Sequence, residues 1–337
     1  MIHLHWKLLF YRKRRKKEKN MPIYEAIQYF ITSLETQQLS PHSIRAYTQD
    51  LEQWYKKLDT QKTLDQLEFR DFQTYFMCIN QLKPSSLKRK RVVLHRFLAF
   101  CYKKRLCKEK LYEYIDPIKA KKNQAPKEIL SKEDIEKLWS YLDQEIKKKA
   151  QTLESSYEQT NYYYAIRNRL IIGLLLYTGA RANEIVQLKK QDVQLETGHI
   201  TLLTKGHKYN QIPIHKALKE IFMTYNDQLQ VIQDKDLLQF IESEYLFPSR
   251  VQPHTSITTR TLHDLMNKLS EILGRHIHAH LFRHTFASYC IAAHMDISTI
   301  SSLISHSNPS ITLSIYTHEI DAHNKEEQLK KLPSFTE

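Results

Sequence analysis

Apolar residues recur at helical spacing from residue 23 nearly to the end of the chain, and this pattern restricts the fold more than any other feature. The first segment repeats Ile23, Ile27 and Leu34 along one helical face. The period changes at 199–203 and 211–214, where alternating and β-branched residues typical of strands flank a Lys-Gly-His-Lys turn. We therefore predict a mainly α-helical chain with one small antiparallel hairpin.

Signals for helix starts support this pattern. Ser40 followed by Pro41 is a cap with proline at the first helical position, and Ser131 followed three residues later by Asp134 is a capping box. Further helices are predicted at 70–80, from about 85, at 135–147 and at 162–177.

The chain has 337 residues, which is too long for one ordinary core and fits two domains, or one large domain with an arm. A polar, basic segment with two prolines, 116–128, interrupts the helical pattern and is predicted to be an exposed linker. It separates a helical domain, 22–115, from a second domain, 129–318. A tail, 319–337, carries a few apolar residues among charges.

A basic leader, 1–21, supplies half of the formal net charge of +14, because its first 20 residues hold eight Lys or Arg against one Glu. Clustered cations of this kind bind phosphates. Three interpretations of the leader stay open: an arm that contacts DNA, a solvated and disordered tail, or a stretch that the working protein lacks. The net charge of the whole chain indicates an anionic polymer as partner, although the chain after the leader is only moderately basic.

A second basic feature belongs to the helix that begins near Ser85. Its apolar residues include Leu94 and Phe97, and a set of basic residues is predicted on the other side of the helix. This set comprises Lys88, Arg89, Lys90, Arg91 and Arg96. It is a candidate DNA-binding surface, and a solvated helix face is the alternative.

The four cysteines are scattered without a CxxC spacing, so we predict reduced core residues rather than a metal site or disulfides. No apolar run approaches the about 20 residues that a membrane span needs. We predict a soluble cytoplasmic protein that does not associate with membranes.

Two places in the second domain put arginines beside turn or helix signals. Gly179 is predicted to end one helix, Arg181 to project from the following turn, and Glu184 to hold its guanidinium. His280 and Arg283 lie three residues apart and so share a helical face. Each residue taken alone has an ordinary structural explanation.

Three further residues complete the set of candidates. Lys205 lies at the predicted hairpin tip, His306 at the end of one helix, and Tyr316 in the next. A single such lysine, histidine or tyrosine is usually a solvated or packing residue. Their presence in one chain, in this order and these contexts, indicates a shared role.

Together these motifs resemble the tyrosine recombinase, or phage integrase, family, and in particular its Xer-type members. The resemblance covers the chain from about residue 22. It implies an all-α core-binding (SAM-like) domain followed by an α+β catalytic domain with a small antiparallel sheet. The family's catalytic positions fall on Arg181, Lys205, His280, Arg283, His306 and Tyr316. Ser305 stands where glycine is usual, and Phe282 where leucine is commoner.

The resemblance implies a site-specific recombinase that cuts and rejoins DNA through a 3′-phosphotyrosine on Tyr316, for dimer resolution or integration of mobile elements. Its implied partner is double-stranded DNA with an inverted-repeat site, bound by a homo-oligomer that becomes a tetramer in synapsis, with or without a second related recombinase. It implies no metal or nucleotide cofactor and action at the nucleoid. The tail, 319–337, is expected to dock on a neighbouring protomer.

The chemistry of phosphodiester cleavage explains these residue types. Attack by a tyrosine concentrates negative charge on the phosphate oxygens, and two arginines can each present a planar fork to them. A phenol with a pKa of about 10 needs a base, for which His280 is the candidate. The resemblance assigns protonation of the leaving oxygen to Lys205 and a hydrogen bond to the phosphate to His306.

Three alternatives remain. A type IB topoisomerase uses the same tyrosine chemistry to relax DNA, and a DNA-binding protein can retain the fold without catalysis. The histidines at 276, 278, 280 and 284 suggest a metal site, but zinc would need a third ligand, typically Glu, Asp or Cys, and the HExxH arrangement is missing.

Overall fold

The computed structural model describes residues 21–58, 62–116, 128–204, 206–252 and 254–305. The chain divides into two compact units, Met1–Gln124 and Ala125–Glu337, and each has its own apolar core. The predicted two-domain, mainly helical architecture is confirmed.

Every helix or strand among the described residues of the N-terminal unit is a helix. Its helices are α1 (Ile23–Thr36), α2 (Pro41–Tyr55), α3 (Phe69–Cys78) and α4 (Pro84–Lys103), with 3₁₀ turns at Leu64–Gln66 and Leu111–Tyr114. The Ser40 hydroxyl accepts a hydrogen bond from the Ser43 backbone N–H at 3.2 Å, so α2 starts as predicted. Trp54 lies at the centre of the core, stacked on Phe72 and edge-on to Phe97.

The prediction that Lys90 belongs to the basic surface of α4 is wrong. Lys90 is only 6% exposed, and its Nζ donates to Asp50 Oδ1 at 2.8 Å and to Gln53 Oε1 at 2.6 Å. The reason is its position, because 90 lies on the same helical stripe as Leu94 and Phe97. The cost of burying the Lys90 ammonium is offset because it pairs with the Asp50 carboxylate.

The other basic residues of α4 remain at the surface to different degrees. Lys88, Arg89 and Arg96 are exposed, although Arg89 pairs with Asp50. Arg91 is half-buried, with its guanidinium 4.1 Å from the centre of the Phe76 ring. The exposed cationic surface of α4 is therefore narrower than predicted.

The C-terminal unit is built around one long buried helix. Its described helices are α5 (Lys132–Ala150), α6 (Ser156–Thr178), α7 (Ala182–Val186), α8 (Lys216–Leu229), α9 (Lys235–Ile241), α10 (Thr259–Leu273), α11 (Ala279–Ala292) and α12 (Ile297–Leu303). Helix α6 packs against α5, α8 and α11, and most of its residues are buried. Ser131 and Asp134 form the predicted capping box at the start of α5.

A small antiparallel sheet accompanies these helices, with strand order β1-β2-β3. Its strands are β1 (Val193–Gln194), β2 (His199–Thr204) and β3 (Lys208–Pro213). The predicted hairpin is confirmed, and its strands extend further toward the tip than expected, with Leu202 opposite Asn210 and Thr204 opposite Lys208. The sequence analysis missed β1, because two residues carry no recognisable alternation.

The cysteines follow the prediction with one exception. Cys101, Cys107 and Cys290 are buried and free, whereas Cys78 is exposed. Burial raises the pKa of Cys290 to about 11, which keeps it a thiol near neutral pH. Within the described residues, no helix combines the length and the apolar character needed to cross a membrane.

Candidate active site

The first part of the site is the turn between α6 and α7. Gly179 ends α6 in the left-handed conformation, at φ +60°. A Cβ atom at this position would lie 2.6 Å from the Phe286 ring and 3.1 Å from the Ile304 side chain. Glycine is therefore required by both the backbone conformation and the close packing of α11 and α12.

This turn delivers Arg181 to the N-terminus of α7, where Glu184 holds it. Arg181 Nη1 donates to Glu184 Oε1 at 2.7 Å, and the Arg181 backbone N–H donates to Glu184 Oε2 at 2.8 Å. The side chain of Glu184 is 4% exposed, whereas that of Arg181 is 30% exposed. The predicted pairing is confirmed, and it leaves part of the guanidinium open to a ligand.

Arg283 reaches the same place from α11. Its Nη1 donates to the Gly179 carbonyl at 2.9 Å, and its Nη2 donates to the Ile304 carbonyl. Arg181 Nη2 donates to the next carbonyl, that of Ser305, at 3.3 Å. Two arginines that are distant in the sequence therefore converge on adjacent peptide groups at the end of α12.

His280 lies in the first turn of α11, one turn before Arg283, and is exposed. His278, two residues before His280, caps this helix through its Nδ1 atom, which accepts a hydrogen bond from the Leu281 backbone N–H at 3.1 Å. Burial lowers the pKa of His278, and charge on the neighbouring His276 and His280 lowers it further. The helix start therefore favours a neutral imidazole at 278.

Lys205, His306 and Tyr316 lie outside the described residues, as do the leader, most of the linker and the tail. Thr204 and Gly206 beside Lys205, and Ser305 before His306, are described. Strand β2 ends at Thr204, and Ser305 follows the end of α12 at φ +52°, in the left-handed region. This conformation explains why glycine is usual at position 305 in the resembled family.

The sequence analysis missed Asn210, a half-buried residue of β3. Its Nδ2 atom donates toward the Ser302 carbonyl at 3.0 Å, the Leu303 carbonyl at 3.3 Å and Ser305 Oγ at 2.8 Å. Alternation along the strand gave a weak signal, because Asn210 lies two residues before the buried Ile212 and so shares its face. Nothing in the sequence indicated the partner.

The structure also places Phe282 and the cluster of histidines that the sequence analysis considered as a metal site. Phe282, which departs from the family pattern, is fully buried in the core of the C-terminal unit. The histidine cluster brings the rings of His276 and His278 to 5.4 Å between centroids. Among the described residues, no group of three or more His, Cys, Asp or Glu side chains is arranged to hold a metal ion.

Comparisons with known proteins match both units. A model described as the phage integrase family matches residues 128–323, and a model of the phage integrase N-terminal SAM-like domain matches residues 27–105. Tyrosine recombinase XerC of Staphylococcus aureus (strain MRSA252) is 26% identical over 297 residues, which cover 86% of this chain and 90% of that protein.

Solved structures are similar over most of the chain. The XerH site-specific recombinase bound to difH substrate, in a pre-cleavage complex, has a TM-score of 0.61 at 20% identity, covering 90% of this chain and 83% of that one. A lambda integrase tetramer bound to a Holliday junction has a TM-score of 0.63 at 12% identity, covering 88% and 78%. These two structures confirm the predicted fold.

Proposed function

This chain belongs to the phage integrase family, whose tyrosine recombinases are DNA strand-transferring enzymes, and we propose that its nucleophile is Tyr316. The observation that carries this proposal is the convergence of Arg181 and Arg283 on the residues that lead directly into position 306. The pair forms a cationic site for one phosphate group.

The proposed cleavage step transfers a phosphoryl group without changing the number of phosphoester bonds. The Tyr316 oxygen forms a bond to phosphorus while the bond from phosphorus to the 5′ oxygen breaks. His280 accepts the phenolic proton, and Lys205 gives a proton to the departing oxygen. Arg181 and Arg283 stabilise the charge that develops on the non-bridging oxygens, and His306 donates a hydrogen bond to them.

Rejoining follows the same path in reverse. A 5′ hydroxyl from the exchanging strand attacks phosphorus, and the bond to Tyr316 breaks. The phosphotyrosine retains the energy of the phosphodiester bond. The proposed rejoining step therefore needs no nucleotide as an energy source, and the side chains named above carry out the proton transfers without a metal ion. The histidines at 276, 278 and 284 have no part in the proposed chemistry.

The proposed substrate is double-stranded DNA that carries an inverted repeat, with one protomer on each arm. Two similar structures support DNA as the substrate and an oligomer on it, since XerH is bound to difH substrate and lambda integrase is a tetramer bound to a Holliday junction. Exposed cations of α4, namely Lys88, Arg89 and Arg96, are proposed contacts to phosphates of the DNA backbone. A tetramer of this chain would hold two sites together.

The test begins with selection of bound duplexes from a library of random inverted repeats, with arms of about 11 base pairs, close to one helical turn per protomer. The selected duplex is then nicked near its centre, so that cleavage releases a short fragment and traps the enzyme. We expect a protein–DNA adduct that survives denaturant. Tight binding to the selected duplex without any adduct would contradict the proposal.

The same site distinguishes a recombinase from a topoisomerase. A supercoiled plasmid that carries two directly repeated copies of the site is incubated with the protein. A recombinase yields two circles whose sizes add to that of the parent plasmid. Relaxation without such circles would favour the topoisomerase alternative, which neither the family match nor the similar structures favour.

A further inference from the structure

The end of α12 together with the two residues that follow it, 302–305, is held by side chains from three separate elements. A helix leaves its final carbonyl groups without partners inside the helix. Arg283 of α11 donates to the Ile304 carbonyl, and Arg181 of the α6–α7 turn donates to the Ser305 carbonyl. The carbonyls of Ser302 and Leu303 accept hydrogen bonds from the side-chain amide of Asn210 in β3.

We propose that Asn210 is a positioning residue for the arginine pair. It belongs to the hairpin, and its amide fixes the 302–305 turn whose carbonyls in turn orient Arg181 and Arg283. This inference rests on the proposed function, because it assigns Asn210 a role only through the two arginines that bind the scissile phosphate.

The chemistry of the contact requires an amide. Its nitrogen carries two N–H donors, which serve two carbonyls and one hydroxyl at 2.8–3.3 Å. An aspartate would present oxygen atoms to the two carbonyl oxygens and would repel them. The contact to Ser305 Oγ also supports a residue whose positive φ is unfavourable for a side chain larger than glycine.

The arginines depend on this turn because their own side chains are long and have many rotamers. A guanidinium stabilises a transition state only if its direction is fixed before the charge develops. Arg283 is 4% exposed, so a shift of the Ile304 carbonyl changes its direction within a packed environment. Loss of Asn210 should therefore weaken stabilisation of the phosphate charge more than the affinity for DNA.

The experiment compares single-turnover cleavage of two nicked duplexes, made from the selected site after its cleavage position has been mapped. One has an ordinary scissile phosphodiester. The other has a methylphosphonate there, which lacks one anionic oxygen and so depends less on the arginine pair. Asn210→Ala and Asn210→Asp are compared with Gln211→Ala, which changes the exposed neighbour on the opposite face of β3.

On the phosphodiester we expect Asn210→Ala to slow cleavage about 10-fold, less than the about 100- to 1,000-fold typical of removing a direct oxyanion donor. Asn210→Asp should be slower still, and Gln211→Ala should match the wild type. On the methylphosphonate, Asn210→Ala and the wild type should differ by less than about 3-fold. Arg181→Ala serves as the reference variant. It should slow cleavage of the phosphodiester more than Asn210→Ala does, and this loss of rate should also be smaller on the methylphosphonate.

Equal losses on both substrates would show a general structural defect and would overturn the inference, as would an unchanged rate on the phosphodiester. Ser305→Ala gives a second test that removes only one acceptor of the contact, and it should produce a smaller loss confined to the phosphodiester. If the wild type forms no adduct on the phosphodiester, the proposed function fails and the inference with it. If the wild type forms the adduct but neither Asn210→Ala nor Asn210→Asp cleaves the phosphodiester more slowly relative to the methylphosphonate, the role of Asn210 is rejected and the proposed function stands.

Discussion

Arg181 and Arg283 each donate hydrogen bonds to two protein acceptors, which fix the direction of the guanidinium. Arg181 is held by a carboxylate that is almost completely buried, and Arg283 by two backbone carbonyls. A guanidinium has five N–H donors, and that of Arg181, with its side chain 30% exposed, stays partly accessible to a phosphate. Preorganisation of this kind stabilises a transition state more than a ground state.

We predict that Arg181→Ala slows cleavage by about 100- to 1,000-fold, equivalent to about 2.7–4 kcal/mol in the barrier. The affinity for the selected duplex should change by less than about 10-fold, because the DNA makes many other phosphate contacts. Single-turnover cleavage and a binding titration measure the two effects. A proportional loss of affinity and rate would mean that Arg181 binds DNA without a specific role in the chemistry.

Some residue contacts could be predicted from the sequence and others could not. The Arg181–Glu184 pair was predictable, because its members are three residues apart beside a helix start. The buried Lys90 was partly predictable from its helical stripe, but its partner Asp50 lies on another helix. The Asn210 contact joins a strand to residues more than 90 positions later, and no local pattern indicates such a distance.

At the scale of elements, the two helix ends that carry the candidate site are set by local chemistry. Helix α6 ends at Gly179 in the left-handed conformation, and α11 begins at the His278 cap. The end of α6 was predicted, because glycine is a recognisable helix-end signal, whereas the His278 cap of α11 was not predicted. The short strand β1 and the bounds of the hairpin depended on tertiary pairing instead.

We predict that Gly179→Ala destabilises the protein by about 2–4 kcal/mol, through an unfavourable φ and overpacking against Phe286. Gly274→Ala is the matched control, because Gly274 also ends a helix at positive φ, +67°, but has open space around it. It should cost only about 1–2 kcal/mol. Chemical denaturation measures both, and equal losses would contradict the packing explanation.

The His278 cap predicts a dependence of stability on pH. Its pKa is lower in the folded protein than the ordinary 6.5, so the unfolded chain binds a proton first as the pH falls. The stability that neutral His278 contributes is present above pH 6.5 and is lost as the pH falls below 6.5 through the lower pKa of the folded protein. His278→Asn keeps a capping oxygen without a titrating group and should reduce this loss.

The free energy of unfolding is measured at about pH 7.5 and about pH 5.5 for both proteins. The difference between the two pH values should be smaller in His278→Asn than in the wild type. An identical pH dependence would show that other groups, and not the cap of α11, cause the loss.

At the scale of the whole molecule, two units with separate cores fit a protein that must hold a duplex while one of its phosphates reacts. The resemblance stated from the sequence already implied this division, because the catalytic positions lie in the second unit. The placement of the side chains within that unit depended on how α7, α11, α12 and β3 pack together. Periodicity shows which face of a helix is buried but not which helix covers it.

We predict that the tail coordinates protomers. Truncation after Asp321 should leave binding to a single arm intact while it reduces recombination between two sites, because the removed segment docks on a neighbour. Truncation after Phe335 is the control and should behave like the full chain. Mobility shifts on one arm and resolution of the two-site plasmid measure the effects, and normal recombination by the shorter protein would reject this role.

The account depends most on the identity of the nucleophile. The chain contains 20 tyrosines, so digestion of the trapped adduct and mass spectrometry of its peptides can assign the attachment site without assuming it. We predict a nucleotide linked through its 3′ phosphate to Tyr316, and a Tyr316→Phe protein that binds the selected duplex but forms no adduct. Attachment to any other residue, or an adduct formed by Tyr316→Phe, would contradict the account.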